Sequence, residues 1–286
     1  MTTFRFIDAE KAFFPIALMA RVLGVSRSGY YRWVRAAPSK TALQQQRLAA
    51  EIRDIHAEHK GRYGSPRIHR ELTARGHCNG HNQVARLMAQ QGLAGWRPKR
   101  FRKTTDSRHT SRIAPNLLER DFSADAPNRV WVGDITYIPT RQGWLYLAVL
   151  LDLFSRRVVG WSMSEVIDAV LALSALDMAV AARRPAPGII HHTDRDCRYA
   201  SDDYQTALRR IGAKTSMSGK ADCWDNAVAE SFFASLEKEV LDDELFLSRE
   251  VARYVIADYI ENYYNQKRRH SYLDYISPIE YELRAA

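Results

Sequence analysis

The stretch NRVWVGDITYIP, residues 128–139, places one acidic side chain inside an apolar run. Valine, isoleucine, tryptophan and tyrosine are typical of β-strands, and Pro139 is expected to end such a strand. Asp134 lies in the middle of the stretch, where an uncompensated carboxylate costs free energy. The stretch therefore predicts a buried strand in which Asp134 either is paired within the core or holds a metal ion.

Strand-like and helix-like patterns alternate on the C-terminal side of this stretch. Further strands are predicted at 143–155, 156–163, 188–194 and 213–218, and helices at 168–184, 201–212, 224–241 and 248–264. The first three strands follow one another closely, which indicates an antiparallel meander. The order of three strands, helix, strand, helix, strand and helix predicts an α/β ribonuclease-H-like core with a five-stranded mixed sheet.

Three carboxylates stand out by their positions in this predicted core. Asp134 lies in the first strand, Asp194 ends the fourth, and Glu230 lies on the helix after the fifth strand, with 35 residues between it and Asp194. The first and fourth strands are neighbours in such a sheet, and a helix across its end can bring Glu230 close. Oxygen ligands of this kind hold Mg²⁺, and a pair of ions can activate an attacking oxygen and stabilise a leaving one. Taken singly, each carboxylate could instead be a core, turn or surface residue.

Positive charge is concentrated in the first part of the chain. Residues 1–120 contain 23 Lys and Arg against 8 Asp and Glu, whereas the remainder contains 19 against 25. This asymmetry indicates a polyanion-binding segment joined to one that uses carboxylates, although a solvated basic face would look the same. The most economical interpretation is a protein that binds double-stranded DNA.

Two helical units in the basic half resemble helix-turn-helix elements, so the predicted core is preceded by all-α DNA-binding segments. Residues 13–36 predict one unit, residues 40–60 a connecting helix, and residues 63–93 a second unit. An ordinary helical hairpin would explain the first unit equally well. A basic stretch without periodicity follows, and the chain ends in a second basic run, at 265–273. We assign DNA contacts to Arg27, Tyr30, Arg32, Arg67, Arg70, Arg86, Arg97, Lys99, Arg100, Arg102, Lys103, Asn226, Lys267, Arg268 and Arg269.

These patterns divide the chain into five segments. They are a helix-turn-helix and connecting helix (1–60), a second helix-turn-helix-like segment (61–94), a basic linker (95–126), the catalytic core (127–245) and a C-terminal helix with a basic tail (246–286). No window is apolar enough to span a membrane, and neither a secretory leader nor a disulfide framework is evident. We therefore expect a cytoplasmic protein.

Six motifs together carry a resemblance that covers nearly the whole chain. They are SRSGYYRW (26–33), YGSPRIHREL (63–72), VWVGDITYIPT (130–140), LDLFSRRVVGW (151–161), CWDNAVAESFF (223–233) and YNQKRRHSYL (264–273). The chain resembles DDE transposases of the third-numbered bacterial insertion-sequence family, as the product of the second reading frame (OrfB). The resemblance implies a catalytic core similar to that of retroviral integrases, with catalysis by Asp134, Asp194 and Glu230.

Further expectations follow from this resemblance. They are metal-dependent cleavage at insertion-sequence ends, strand transfer of the released 3′-hydroxyl into target DNA, and two Mg²⁺ ions per site that Mn²⁺ can replace. The expected partners are the terminal inverted repeats and target DNA, further copies of the chain, and the upstream-frame (OrfA) protein or a frameshift fusion with it. The alternatives are a ribonuclease-H-like nuclease without strand transfer and a DNA-binding regulator with an inactive core.

The chain departs from the family pattern just after Asp194. The family usually has glycine two residues after this aspartate and glutamine two residues further on, whereas this chain has Asp196 and Arg198. Glycine often serves a left-handed turn, which aspartate tolerates less well. Asp196 is also a rival metal ligand, and the departures raise the question of whether this copy is active.

Overall fold

A five-stranded mixed sheet lies at the centre of the chain. The computed structural model describes residues 2–37, 39–95, 114–219, 223–241 and 245–285. Strands β1 (Val130–Thr140), β2 (Gly143–Asp152) and β3 (Val158–Ser164) form the predicted antiparallel meander. Strands β4 (Ile190–Thr193) and β5 (Lys214–Met217) run parallel to β1, in the sheet order β3-β2-β1-β4-β5. The predicted ribonuclease-H-like core is confirmed, and β1 extends one residue past Pro139.

Helices cover both faces of this sheet, because strands buried on two sides need apolar partners on each. Helices α7 (Ala169–Arg183) and α8 (Asp202–Arg210) pack on the face that carries Trp131 and Ile135. Helices α9 (Ala227–Glu239) and α10 (Arg249–Asp258) pack on the other face, which carries Val130 and Val132. A 3₁₀ turn, Cys223–Asn226, leads directly into α9.

Six helices precede the sheet. The first three, α1 (Thr3–Glu10), α2 (Ile16–Val22) and α3 (Arg27–Arg35), enclose a small core of their own; α1 was not predicted. The next three are α4 (Lys40–Glu58), α5 (Ser65–Ala74) and α6 (His81–Gln90), and their apolar residues belong to the same core as α9 and α10. The second helical unit and the catalytic core are therefore one packed body.

The predicted C-terminal basic run is folded in the described residues. Helix α10 continues through a π-helical segment, Tyr259–Tyr264, and the chain ends in α11 (Pro278–Ala285). Tyr63, on the loop before α5, donates a hydrogen bond to the Lys267 carbonyl and accepts one from the Arg269 amide, at 3.3 and 2.9 Å. These bonds fasten the run onto the preceding helices.

Most of the predicted basic linker lies outside the described residues, and so do Arg97, Lys99, Arg100, Arg102 and Lys103. Over the part of the chain that is described, no helix is both long enough and apolar enough to cross a bilayer.

Candidate active site

Asp134 and Asp194 are brought side by side by the pairing of β1 with β4. The parallel register pairs Val130 with Ile190 and continues to Gly133 with Thr193. The next step of this register places Asp134 beside Asp194, on chains about 4.8 Å apart. Side chains alternate along a strand, so Asp134 belongs to the face of Val130 and Val132, against which α9 packs. Strand register therefore explains how residues 60 positions apart share one site.

Burial and charge both act on the Asp134 carboxyl. Its pKa is raised well above the ordinary value, first by burial, then by the negative charge of Asp194, and to a lesser degree by Glu230 and Asp196. One bond acts in the opposite direction, since the Ile135 amide donates to the Asp134 Oδ1 at 2.8 Å. This carboxylate pair is an oxygen-rich site of concentrated negative charge, which suits a hard cation.

The two aspartates line a recess of about 10 Å³, which is the size of a single water molecule. Asp196 also lines this recess, so it is a neighbour of both. However, its carboxylate is ion-paired with the Arg198 guanidinium and accepts a hydrogen bond from the Arg198 amide at 3.0 Å. The two departures from the family pattern are therefore partners of each other.

The backbone at Asp196 does not require glycine. Its φ is not among the positive values of the described residues, so the left-handed turn considered from the sequence is absent here. The Asp196 amide instead donates to the Asp194 Oδ1 at 3.1 Å, which fixes the side chain of Asp194 at the recess. The concern about backbone strain is thereby removed.

Glu230 lies on the first turn of α9, half-buried, and burial raises its pKa. Its negative charge contributes to the raised pKa of Asp134, but Glu230 does not line the recess of the two aspartates. Within the described ranges, no group of three or more acidic, histidine or cysteine side chains is close enough to hold a metal ion. Three carboxylates repel one another at coordination distance unless a cation is between them, which is consistent with the separation of Glu230 from the two aspartates.

Asn226 connects α9 to β1. It is 4 % exposed, and its amide nitrogen donates to the Gly133 carbonyl at 3.4 Å, one residue before Asp134. Its side chain does not cap α9, and its Oδ1 has no hydrogen-bond partner in the described structure. This bond ties the helix of Glu230 to the strand of Asp134, and a DNA contact of Asn226 stays a prediction.

The cationic residues predicted to bind DNA divide into two groups. Arg27, Arg32, Arg70, Arg86 and Lys267 are exposed. Arg67 and Arg269 are half-buried and paired with Glu239 and Glu71, whereas Arg268 is 4 % exposed and bonded to Glu239. Tyr30 is 2 % exposed in the core of α1–α3, with its hydroxyl donating to Asp8 at 3.0 Å. These four residues therefore have partners within the protein, and their contacts with DNA stay a prediction.

Sequence patterns missed two residues near the site. Arg198 neutralises Asp196, and the signal for it was the pair of opposite charges two residues apart in one turn. Arg156 is buried next to Tyr272, and no local pattern indicates this contact because the two residues lie far apart in sequence.

Models of known protein families match most of the chain. Residues 124–223 and 211–278 match integrase core domains, and residues 43–101 match an HTH-like domain. The chain is 43 % identical over 279 residues to transposase InsF for insertion sequence IS3A of Escherichia coli (strain K12), covering 97 % of each protein. It is 44 % identical over 260 residues to the insertion element IS600 uncharacterized 31 kDa protein of Shigella sonnei, covering 91 % of this chain and 96 % of that protein.

Solved structures with similar folds include viral integrases. One is a simian T-cell lymphotropic virus intasome in complex with the PP2A regulatory subunit B56 gamma, with 17 % identity, coverage of 81 % of this chain and 74 % of that one, and a TM-score of 0.48. Another is the HTLV-2 integrase catalytic core domain in complex with magnesium, with 16 % identity, coverage of 55 % of this chain and 98 % of that one, and a TM-score of 0.41. The sequence relatives, matched over almost their whole length, carry the assignment of the family.

Proposed function

This chain belongs to the transposases of the insertion sequence IS3 family, and we propose that Asp134, Asp194 and Glu230 are the carboxylates with which it cuts and joins DNA. The reaction class is polynucleotidyl transfer, in which transposition integrates a DNA element at a new place. One observation carries the assignment of residues: the β1–β4 register sets Asp134 beside Asp194 at the face covered by the helix of Glu230.

The chain's own groups fit divalent metal ions. The raised pKa of Asp134, caused by burial and then by Asp194, is the behaviour of a carboxylate whose charge lacks compensation. Two divalent cations, Mg²⁺ or Mn²⁺, would supply activation of the attacking oxygen and stabilisation of the leaving oxygen when bound. Asp134 and Asp194 offer the oxygen ligands, Glu230 completes the set by approaching from α9, and Asn226 keeps that helix close to β1.

Double-stranded DNA is the substrate under this proposal, as terminal inverted repeats and as target. The HTH-like helices α4–α6 and the exposed Arg27, Arg32, Arg70 and Arg86 provide the positive surface. We further propose that copies of the chain assemble on DNA, that the upstream-frame protein or a fusion with it takes part, and that the protein works at the nucleoid in the cytoplasm.

A matched pair of substitutions on one helix tests the assignment. Glu230→Gln keeps side-chain size and helix propensity and removes one ligand charge, so joining of terminal DNA in Mg²⁺ should fall by more than about 100-fold. Binding of the same DNA should persist. Glu237→Gln, at an exposed position two turns further along α9, should join DNA like the parent. Joining by Glu230→Gln at the parent rate would contradict the assignment.

A further inference from the structure

A second cavity lies against α9. Its volume is about 370 Å³, and it opens between α5, α9 and the folded C-terminal run. Three arginines, a histidine and three serines are among the residues that line it: Arg67, Arg156, Arg268, His270, Ser231, Ser235 and Ser271. Ser231 follows Glu230 in the sequence, so one turn of α9 carries both a cavity-lining residue and a candidate catalytic residue.

The positive charge in this cavity exceeds its internal compensation. Arg67 and Arg268 share a single carboxylate, Glu239, at 3.4 and 2.8 Å. Arg156 has no ion pair with a carboxylate among the described residues. The three guanidiniums also act on His270, whose pKa is held well below its ordinary value, first by burial and then by Arg268, Arg67 and Arg156.

Arg156 is the least satisfied of the three. Only 8 % of it is exposed, its Nη2 donates to the Phe122 carbonyl at 2.9 Å, and its guanidinium lies 4.1 Å from the centre of the Tyr272 ring. The Nη1 is buried, and no described residue accepts a hydrogen bond from it. A buried cationic donor without a partner costs free energy, so a missing anion is the simplest compensation.

We propose that this cavity binds one backbone phosphate of the DNA strand that passes the active site, with Arg156 and Arg67 as the main donors. Phosphate offers the acceptor geometry that a guanidinium fork matches. Ser231 is exposed and lies on the same turn of α9 as Glu230, which suits a strand that continues from the reacting phosphodiester. The proposal rests on the DNA-joining function and deepens it by naming where the strand is held.

The test is the salt dependence of DNA binding, measured without divalent cations on the full chain. Losing one phosphate contact lowers the slope of log Kobs against log salt by about one. Arg156→Gln should produce this change, and its circular dichroism and thermal unfolding show whether it is folded. Arg210→Gln, an exposed arginine on α8 at the opposite face of the sheet, should keep the parent slope.

A second pair of variants does not depend on a buried position. Ser231→Glu places a carboxylate at the cavity and should lower the slope by about one, whereas Ser231→Gln, of equal size and neutral, should keep it. The proposal would be overturned if Arg156→Gln, shown to be folded, and Ser231→Glu both bound DNA with the salt slope of the parent.

Stabilisation by orthophosphate distinguishes whether the cavity binds a DNA phosphate or a free anion. If it stabilises the parent but not Ser231→Glu, while the two proteins bind DNA with equal slopes, the cavity serves a free anion and the DNA assignment is overturned. A parent that binds DNA with these slopes but joins none would instead overturn the proposed function and leave the phosphate site standing.

Discussion

Asp196 and Arg198 show how two unusual residues in one turn can neutralise each other. Asp196 is buried and Arg198 half-buried, the two are ion-paired, and Asp196 lines the same recess as Asp134 and Asp194. Removing one member of such a pair leaves the other charge without a partner. Removing both leaves no unpaired charge. The pair therefore has to be changed together, and the sequence alone could not indicate this.

We expect Asp196→Gly to destabilise the protein by about 3 kcal/mol and to raise the Mg²⁺ concentration needed for joining, because a freed Arg198 competes with the cation at the recess. The double variant Asp196→Gly with Arg198→Gln should regain most of both losses. Urea unfolding and Mg²⁺ titrations of the joining rate measure the two effects. A double variant no better than Asp196→Gly would show that the ion pair is not the reason.

Individual elements differ in how far local pattern determines them. The strands from β1 to β5 follow from apolar alternation, and the neighbouring positions of β1 and β4 follow from their order, so the proximity of Asp134 and Asp194 could be predicted. The partners of Arg67 and Arg268 could not be. Glu239 pairs with them across 172 and 29 residues. A run of basic residues looks the same in the sequence whether its side chains are solvated or paired with a distant carboxylate.

Helix α11 is joined to the far edge of the core by one carboxylate. Glu282 accepts hydrogen bonds from Arg183 on α7, from Arg157 and from Ser155, all at 2.7–2.9 Å. Burial alone would raise the pKa of Glu282, but these three donors outweigh it and lower the pKa. A carboxyl with a lowered folded pKa contributes stability above its unfolded pKa of about 4.5 and loses it as the pH falls through the folded value.

Glu282→Gln should therefore destabilise the protein by about 2 kcal/mol at pH 7. The difference from the parent should shrink as the pH is lowered below about 4.5, because the parent carboxyl then becomes neutral too. Urea unfolding at several pH values measures it. Glu280→Gln, which removes only an exposed ion pair on the same helix, is the control and should change little. A constant difference across this pH range would contradict the role of the charge.

On the scale of the whole molecule, the first three helices are separable and the next three are not. Helices α1–α3 have their own small core, whereas α4–α6 share theirs with the sheet and α10. Cutting the chain near residue 120 would expose that shared core. A division into freely separable DNA-binding and catalytic halves, as the charge asymmetry suggested, is therefore not what the packing supports.

We expect a chain lacking residues 1–37 to fold cooperatively and to bind DNA with a smaller salt slope, since Arg27 and Arg32 are removed with it. Thermal unfolding and anisotropy titrations over a range of salt concentrations measure both. A matched truncation before residue 95, which removes α4–α6 as well, should fail to unfold cooperatively. Loss of cooperative unfolding in the shorter deletion would show that α1–α3 also belong to the main body.

The burial of Glu239 between Arg67 on α5 and Arg268 has a geometrical consequence for the DNA. Under the proposed function, the helices that bind DNA and the residues that cut it are fixed to each other, so the distance between them is constant. The spacing between the bases read by α4–α6 and the bond that is broken is then set in base pairs. Five extra base pairs inserted between them turn the scissile bond by about half a helical turn, to the side of the duplex facing away from Asp134.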